Sequence, residues 1–328
     1  MVDNETENST YSYDYDYEEE FIPSAKVQFW TYLVFEIPSL FCTIYLLYHL
    51  TFNQRLRRQL QNHVVMILLF LCLIIIVIDN SFYLDGFRMG NGNSFPFSTR
   101  VCLLWWFIDY GFYGAIPVFL VWASFERHIL VFYRRQFLRP RRKIFYTHYC
   151  PLIIISIYLI GFYVGVILFP PCENIFYSNG FACGSYPCYQ DITWINTWDY
   201  FFNGVLCNIL EAFFTISLLF RTIWKKCIST RYFHWKKYRK MIIQLLSIST
   251  LSLSINLPQA LIIFVQSQPN MSNFGSTVEP YFFYLTTFVV LFLPIVCFGC
   301  LPELWPQPFF CHQRRQGTVA PMILSARP

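Results

Sequence analysis

Three residues of types that do chemistry sit on one apolar stretch. Cys102, Asp109 and Arg127 fall within residues 101–132, which read as a membrane-spanning helix. Asp109 and Arg127 are 18 residues apart, five turns at roughly 3.6 residues each and ~27 Å along the axis. They share a face at opposite ends of the helix. Cys102 stands seven residues before Asp109, close to the same face. One stripe thus presents a disulfide anchor outside, an acid in the outer third and an arginine at the inner edge. A carboxylate inside a span is expensive, so Asp109 is a candidate functional residue. It either meets a ligand ammonium or hydrogen-bonds to a neighbouring span. Trp105, Trp106, Tyr110 and Tyr113 surround it, as an aromatic wall for a cation or as packing. Glu36, Asp79 and Glu211 are weaker acid candidates, and Gln259 is a further candidate ligand contact.

Seven apolar stretches carry these residues, at 27–50, 63–84, 101–132, 148–169, 197–224, 239–265 and 280–301. Each can cross a bilayer core of ~30 Å. Charged residues are 13% of the 328, against about 25% in a soluble domain. These features predict an all-α fold, a seven-transmembrane helix bundle in one domain. Of 24 Lys and Arg, all but Lys26, Arg88 and Arg100 lie in or beside alternate polar segments, starting after the first stretch. Cytoplasmic loops carry that excess. The N-terminus is therefore expected outside and the C-terminus in the cytoplasm, in the plasma membrane. Residues 1–26 form an outer tail, 27–301 the bundle and 302–328 a short cytoplasmic tail.

The net charge of +5 is split by side. The basic loops are short and each follows a span, which argues for anionic lipid or a cytoplasmic partner and against nucleic acid. Residues 1–20 hold eight acids and no base, unlike a cleavable signal. The run from Tyr11 to Glu20 is either a sulfated lure for a basic peptide or a solvated tail. Glycan acceptor triplets begin at Asn4, Asn8 and Asn270, all on the expected outer side.

The fifth span carries Asp199, Asn203, Asn208 and Glu211, and the sixth Gln244, Asn256 and Gln259. Such spans belong inside a bundle. Trp30, Trp105, Trp106, Trp194, Trp198 and Trp224 cluster near span ends, as interfacial belts do. Cys102, Cys172, Cys183 and Cys188 fall on the outer side and allow two disulfides in three pairings. Six further cysteines lie within spans as packing residues. Cys227 and Cys311 face the cytosol, and Cys311 is a candidate for acylation. The six histidines lie near the inner edge without an H-x-x-x-H pair, which argues against a zinc hydrolase. The seventh span has no lysine for a retinal Schiff base. No cofactor is expected.

Glu126-Arg127-His128 is similar to the acid-Arg-aromatic triplet of the rhodopsin-like G protein-coupled receptors, at the inner end of their third span. Cys102 stands 25 residues before Arg127, where that family's outer cysteine stands. Pro258 and Pro294 match its kink prolines in the sixth and seventh spans. The resemblance covers all seven spans by topology and these few positions by motif. It implies a disulfide from Cys102 to the second outer loop, with Cys188 favoured over Cys183 as nearer the fifth span. It also places Asp109 where amine receptors and some peptide receptors hold their ligand cation. Cys72 stands at the usual sodium-binding Asp, Asn256 at the usual Trp, and Pro294 lacks its flanking Asn and Tyr. The sequence resembles a divergent branch, of the kind found in invertebrate expansions.

The resemblance implies a receptor with a cationic amine or basic peptide as extracellular ligand and a heterotrimeric G protein as partner. Glu126, Arg127 and His128 would couple to the G protein, with Glu126 as the acid available to Arg127. The sixth span would swing outward about Pro258. The rivals are a multi-pass transporter or ligand-gated channel, and a seven-span receptor without G protein coupling.

Overall fold

The computed structural model describes residues 23–90, 98–133, 141–176, 183, 186–228, 235–268, 271 and 273–300. No strand occurs among them. Seven helices are long and apolar enough to cross a membrane: α1 (Ala25–Phe52), α2 (Gln61–Arg88), α3 (Thr99–Phe132), α4 (Arg142–Leu168), α5 (Thr193–Lys225), α6 (Ile242–Gln266) and α7 (Glu279–Cys300). The shortest, α7, has 22 residues, or about 33 Å at the helical rise. The chain is a multi-pass membrane protein of the all-α class. The helices fall where the apolar stretches predict them, with ends shifted by a few residues. Asn4, Asn8, Asn270, Cys311, residues 1–22 of the outer tail and the whole C-terminal tail lie outside the described residues, and Ala25 and Lys26 of the outer tail belong to α1.

The surface explains why lipid is the solvent. On α4, Ile153, Ile154, Ile157 and Ile160 are exposed, and on α5, Ile209, Phe213, Ile216 and Phe220. These follow the helical repeat and form outward apolar stripes, a liability in water and a requirement in hydrocarbon. The polar residues of the spans turn the other way. Asp79, Asn80, Asp199, Asn203, Asn208, Glu211, Gln244 and Ser249 are all buried. The inward placement expected of the fifth and sixth spans is what the structure has. Trp30, Trp194, Trp198 and Trp224 are exposed near helix ends, as a belt requires. Trp105 and Trp106 are not belt residues: both are buried in the bundle.

Neighbouring helices close into a ring, α1 on α2 and α7, α5 on α6, and α6 on α7. Helix α3 runs through the middle and touches α2, α4, α5 and α6. Its small and apolar residues permit this, with Ala115, Ile116, Phe119, Leu120 and Ala123 all in the core. Proline lies inside five of the spans, as Pro38, Pro117, Pro151, Pro258 and Pro294. Lipid-facing backbone tolerates this because neighbouring groups re-satisfy the freed carbonyls. Single π-helical stretches interrupt α2 at Ile75–Asp79 and α5 at Asp199–Val205. Each such turn rotates the face that follows it, and such turns often occur at functional sites.

The disulfides correct the favoured pairing. Cys102 is bonded to Cys183, and Cys188 to Cys172. The path of the loop between α4 and α5 decides this. Cys172 lies just past α4, and Cys188 opens a single 3₁₀ turn, Cys188–Asp191, directly before α5. The Cys188 N–H also donates to Asn174 Oδ1 at 2.9 Å. The two ends of the loop are thereby stapled together, and Cys183, in left-handed backbone at φ +64°, reaches Cys102. Proximity to α5 in sequence selected the wrong cysteine. Non-reducing peptide mapping is expected to recover the 102–183 and 172–188 links; a 102–188 crosslink would overturn this arrangement.

Candidate functional site

A cavity of about 580 Å³ opens among α3, α5, α6, α7 and the loop before α5. On α5 it is lined from Asn196 to Asn208, a depth of about 18 Å at the helical rise. That volume suits a small molecule or the end of a peptide. Asp109, Asp191, Asp199 and Glu279 line it, and no Lys, Arg or His does among the described residues. Arg88, one of the few bases at this end, pairs instead with Asp85 at 2.7 Å. The walls are phenolic and amidic, with Tyr83, Tyr110, Tyr113 and Tyr200 beside Asn256 and Gln259.

Two of the acids differ sharply in how they are held. Asp199, at the start of the π stretch of α5, is saturated. Its Oδ1 accepts from Tyr163 Oη at 2.9 Å and from Asn203 Nδ2 at 2.9 Å, and its Oδ2 from Tyr189 Oη at 3.0 Å. It ties α4, α5 and the roofing loop together. The geometry leaves no room for a side chain at Gly114 of α3, where a Cβ would overlap the Tyr163 hydroxyl. Asp109 has only Tyr83 Oη, at 3.5 Å from each carboxylate oxygen. Those contacts are far longer than an ordinary hydroxyl–carboxylate bond, so most of its acceptor capacity is unused.

Beside the cavity, a second buried acid is served by neutral donors. Trp105 Nε1 donates to Asp79 Oδ1 at 2.6 Å, and its ring stacks on Phe82 at 4.9 Å. Tyr32 donates to Thr287 Oγ1 at 3.1 Å. Gln259 Oε1 accepts from Thr286 of α7 in a short contact, joining α6 to α7.

Of the residues singled out in the sequence, Asp109, Tyr110, Tyr113 and Gln259 line the cavity. Trp106 does not. It is 2% exposed and stacks on Phe176 of the loop at 4.8 Å. The helical twist that brings Asp109, Tyr110 and Tyr113 to the cavity turns Trp106 toward α4 and the loop. Glu211 is buried on α5 but outside the cavity lining. Asp199 was legible only as an interior polar residue, and Tyr200 and Glu279 carried no signal beyond their positions at span ends.

At the opposite end, Arg127 is 2% exposed, within electrostatic reach of Glu126 and of Cys297 and Cys300 on α7. Glu126 is thus near enough to act on Arg127, and it has a second partner as well. The Glu126 carboxylate makes a short contact with His148 Nδ1 of α4. His148 Nε2 lies 2.8 Å from His63 Nδ1, and His63 Nε2 lies 2.9 Å from the Arg57 carbonyl. A carbonyl only accepts, so Nε2 of His63 donates to it. With His63 neutral, its Nδ1 accepts from His148 Nε2. One proton is then left between His148 Nδ1 and Glu126, whichever atom holds it. His128 points elsewhere, its Nε2 2.8 Å from the Phe214 carbonyl of α5. Adjacent residues on a helix point about 100° apart, which sends Glu126, Arg127 and His128 to three different neighbours.

No protein-family model matches the sequence, and no curated protein matches it.

The contrast between the two acids gives a stability prediction. Asp199→Ala strands two buried hydroxyls and an amide, each costing about 1–3 kcal/mol. A marked fall in melting temperature is expected in detergent micelles. Asp109→Asn removes a charge held by one long-range phenol, and the melting temperature should hold or rise. Equal losses for both variants would make Asp109 a structural residue like Asp199.

Proposed function

We propose that this chain is a G protein-coupled receptor that takes a cationic extracellular ligand at Asp109 and activates a heterotrimeric G protein at its basic end. One observation carries the reading. Among the described residues, the cavity at the disulfide end holds four carboxylates and no base, and its least satisfied acid, Asp109, shares a helix with buried Arg127 about 27 Å away. A ligand ammonium supplies the charge that Asp109 lacks, in a site of low dielectric where such a pair is strong. The tyrosine walls favour the same cation through their ring faces.

Coupling to the far end needs an element with two arrangements. Pro258 lies on α6 between two residues of the cavity wall, Asn256 and Gln259. A ligand pressing there acts on the helix at its weakest point. Below it, hydroxyls step from Ser124 of α3 to Thr215 of α5 at 3.3 Å and on to Ser249 of α6 at 3.2 Å. Such neutral bonds break at low cost and let α6 part from α3 and α5. Outward movement of α6 would expose Arg127 to the G protein. The agonist contributes only its differential affinity for the two states. The cytoplasmic loops, rich in Arg and Lys, face anionic lipid and the G protein.

Amines and amidated peptides screened on cells expressing the chain with promiscuous G proteins should yield an agonist. Arg127→Ala is expected to abolish agonist-stimulated nucleotide exchange at equal surface level while ligand binding persists. Asp109→Asn should weaken agonist potency about a hundredfold, the cost of losing one partner of a buried charge pair. Full exchange by Arg127→Ala would refute the coupling role. Agonist-driven ion flux without exchange would instead mark a channel or transporter.

A further inference from the structure

We propose that the ligand carries two protonated nitrogens, one received by Asp109 of α3 and the other by Glu279 of α7. The proposal rests on the reading of the cavity as a cation site and specifies its ligand class, a diamine or polyamine.

The four carboxylates of the cavity do not have equal capacity. Asp199 is saturated by three donors, as described above. Asp191 accepts from Tyr186 Oη at 3.1 Å in the loop. Asp109 keeps nearly all its acceptor capacity. Glu279 accepts at Oε2 from Gln266 Nε2, at 2.7 Å, which leaves Oε1 for another donor. Glu279 sits in the first turn of α7, at the end of the helix that faces the cavity mouth residues Gln266 and Ser267. Two acids, on different helices, are therefore open to a ligand.

The two acids line one cavity with Tyr200, whose phenol lies within electrostatic reach of Asp199 first and then of Glu279 and Asp109. Its hydroxyl oxygen accepts from Gln190 Nε2 at 3.1 Å. A monocation at Asp109 would neutralise one acid and leave Glu279 facing the same low-dielectric space. A dication neutralises both.

The remaining polar atoms of the wall point to the same class. Asn196 Oδ1, Asn208 Oδ1 and Asn256 Oδ1 are buried without a hydrogen-bond partner, and all three residues line the cavity. Asn208 is 1% exposed, and its Nδ2 is already engaged with the Gly204 carbonyl at 3.0 Å, so its oxygen is what it offers. All three are acceptors, and buried acceptors call for donors. Protonated nitrogens along a methylene chain supply donors at intervals. The methylenes between them suit the apolar wall of Ala260, Ile263, Phe283 and Val290.

The test uses the purified full-length chain in lipid nanodiscs, with cadaverine, spermidine and n-pentylamine as probes and calorimetry as the readout. Cadaverine or spermidine should bind at least about tenfold more tightly than n-pentylamine, which has one nitrogen only. Glu279→Gln should bring cadaverine and spermidine down to the level of n-pentylamine, and Asp109→Asn should weaken all three. Equal affinity of cadaverine, spermidine and n-pentylamine on the unaltered chain would overturn the proposal. So would an equal effect of Glu279→Gln on all probes, or no binding of cadaverine or spermidine. Binding needs no G protein, so the two readings fail separately. Diamine preference without nucleotide exchange sinks the receptor reading alone, and exchange driven equally well by monoamines sinks this proposal alone.

Discussion

A carboxylate cannot be left facing hydrocarbon, and the arrangement of this bundle follows from that constraint. Lipid offers no hydrogen bonds, so an acid within a span gains by turning inward to a donor on another helix or a loop, as Asp79, Asp109 and Asp199 do. What is unusual is the identity of the donors. Asp79 is served by the Trp105 indole, Asp109 by the Tyr83 phenol, and Asp199 by Tyr163, Tyr189 and Asn203. None of these is a base. Aromatic residues make up 21% of the chain, and part of that excess has this physical use. A phenol or an indole brings a polar atom into the membrane on an apolar body.

Neutral donors satisfy geometry without cancelling charge. Among the described residues that line the cavity, four carry carboxyl groups and none is a base. Described residues of the loop beside it are tied down by Cys183 to α3, by Cys188 to Cys172, by Tyr189 to Asp199 and by Gln190 to Tyr200.

The opposite end is built on a different balance. The buried Glu126 contacts His148 in a line that runs through His63 to the backbone of Arg57. This joins α3, α4, α2 and the turn after α1 into one block, which leaves α6 outside it. Arg127 lies toward α7, on the other flank of α3.

The sequence by itself determined the seven spans, the inward face of the fifth and sixth, and the candidacy of Asp109, Tyr110, Tyr113 and Gln259. Hydropathy and helical periodicity are one-dimensional properties, and solvent partition acts on them directly. Tertiary structure alone decided the partners. It turned Trp106 out of the cavity and Trp105 onto Asp79. It gave Glu126 to His148, exchanged Cys188 for Cys183 at Cys102, and made Asp199 an anchor while leaving Glu279 open. Each of these depends on the rotation of one helix against the next, which the π-helical stretches of α2 and α5 reset, or on the path of a loop. Spacing along the chain carries neither quantity, because a partner on another helix is fixed by packing and not by distance in sequence.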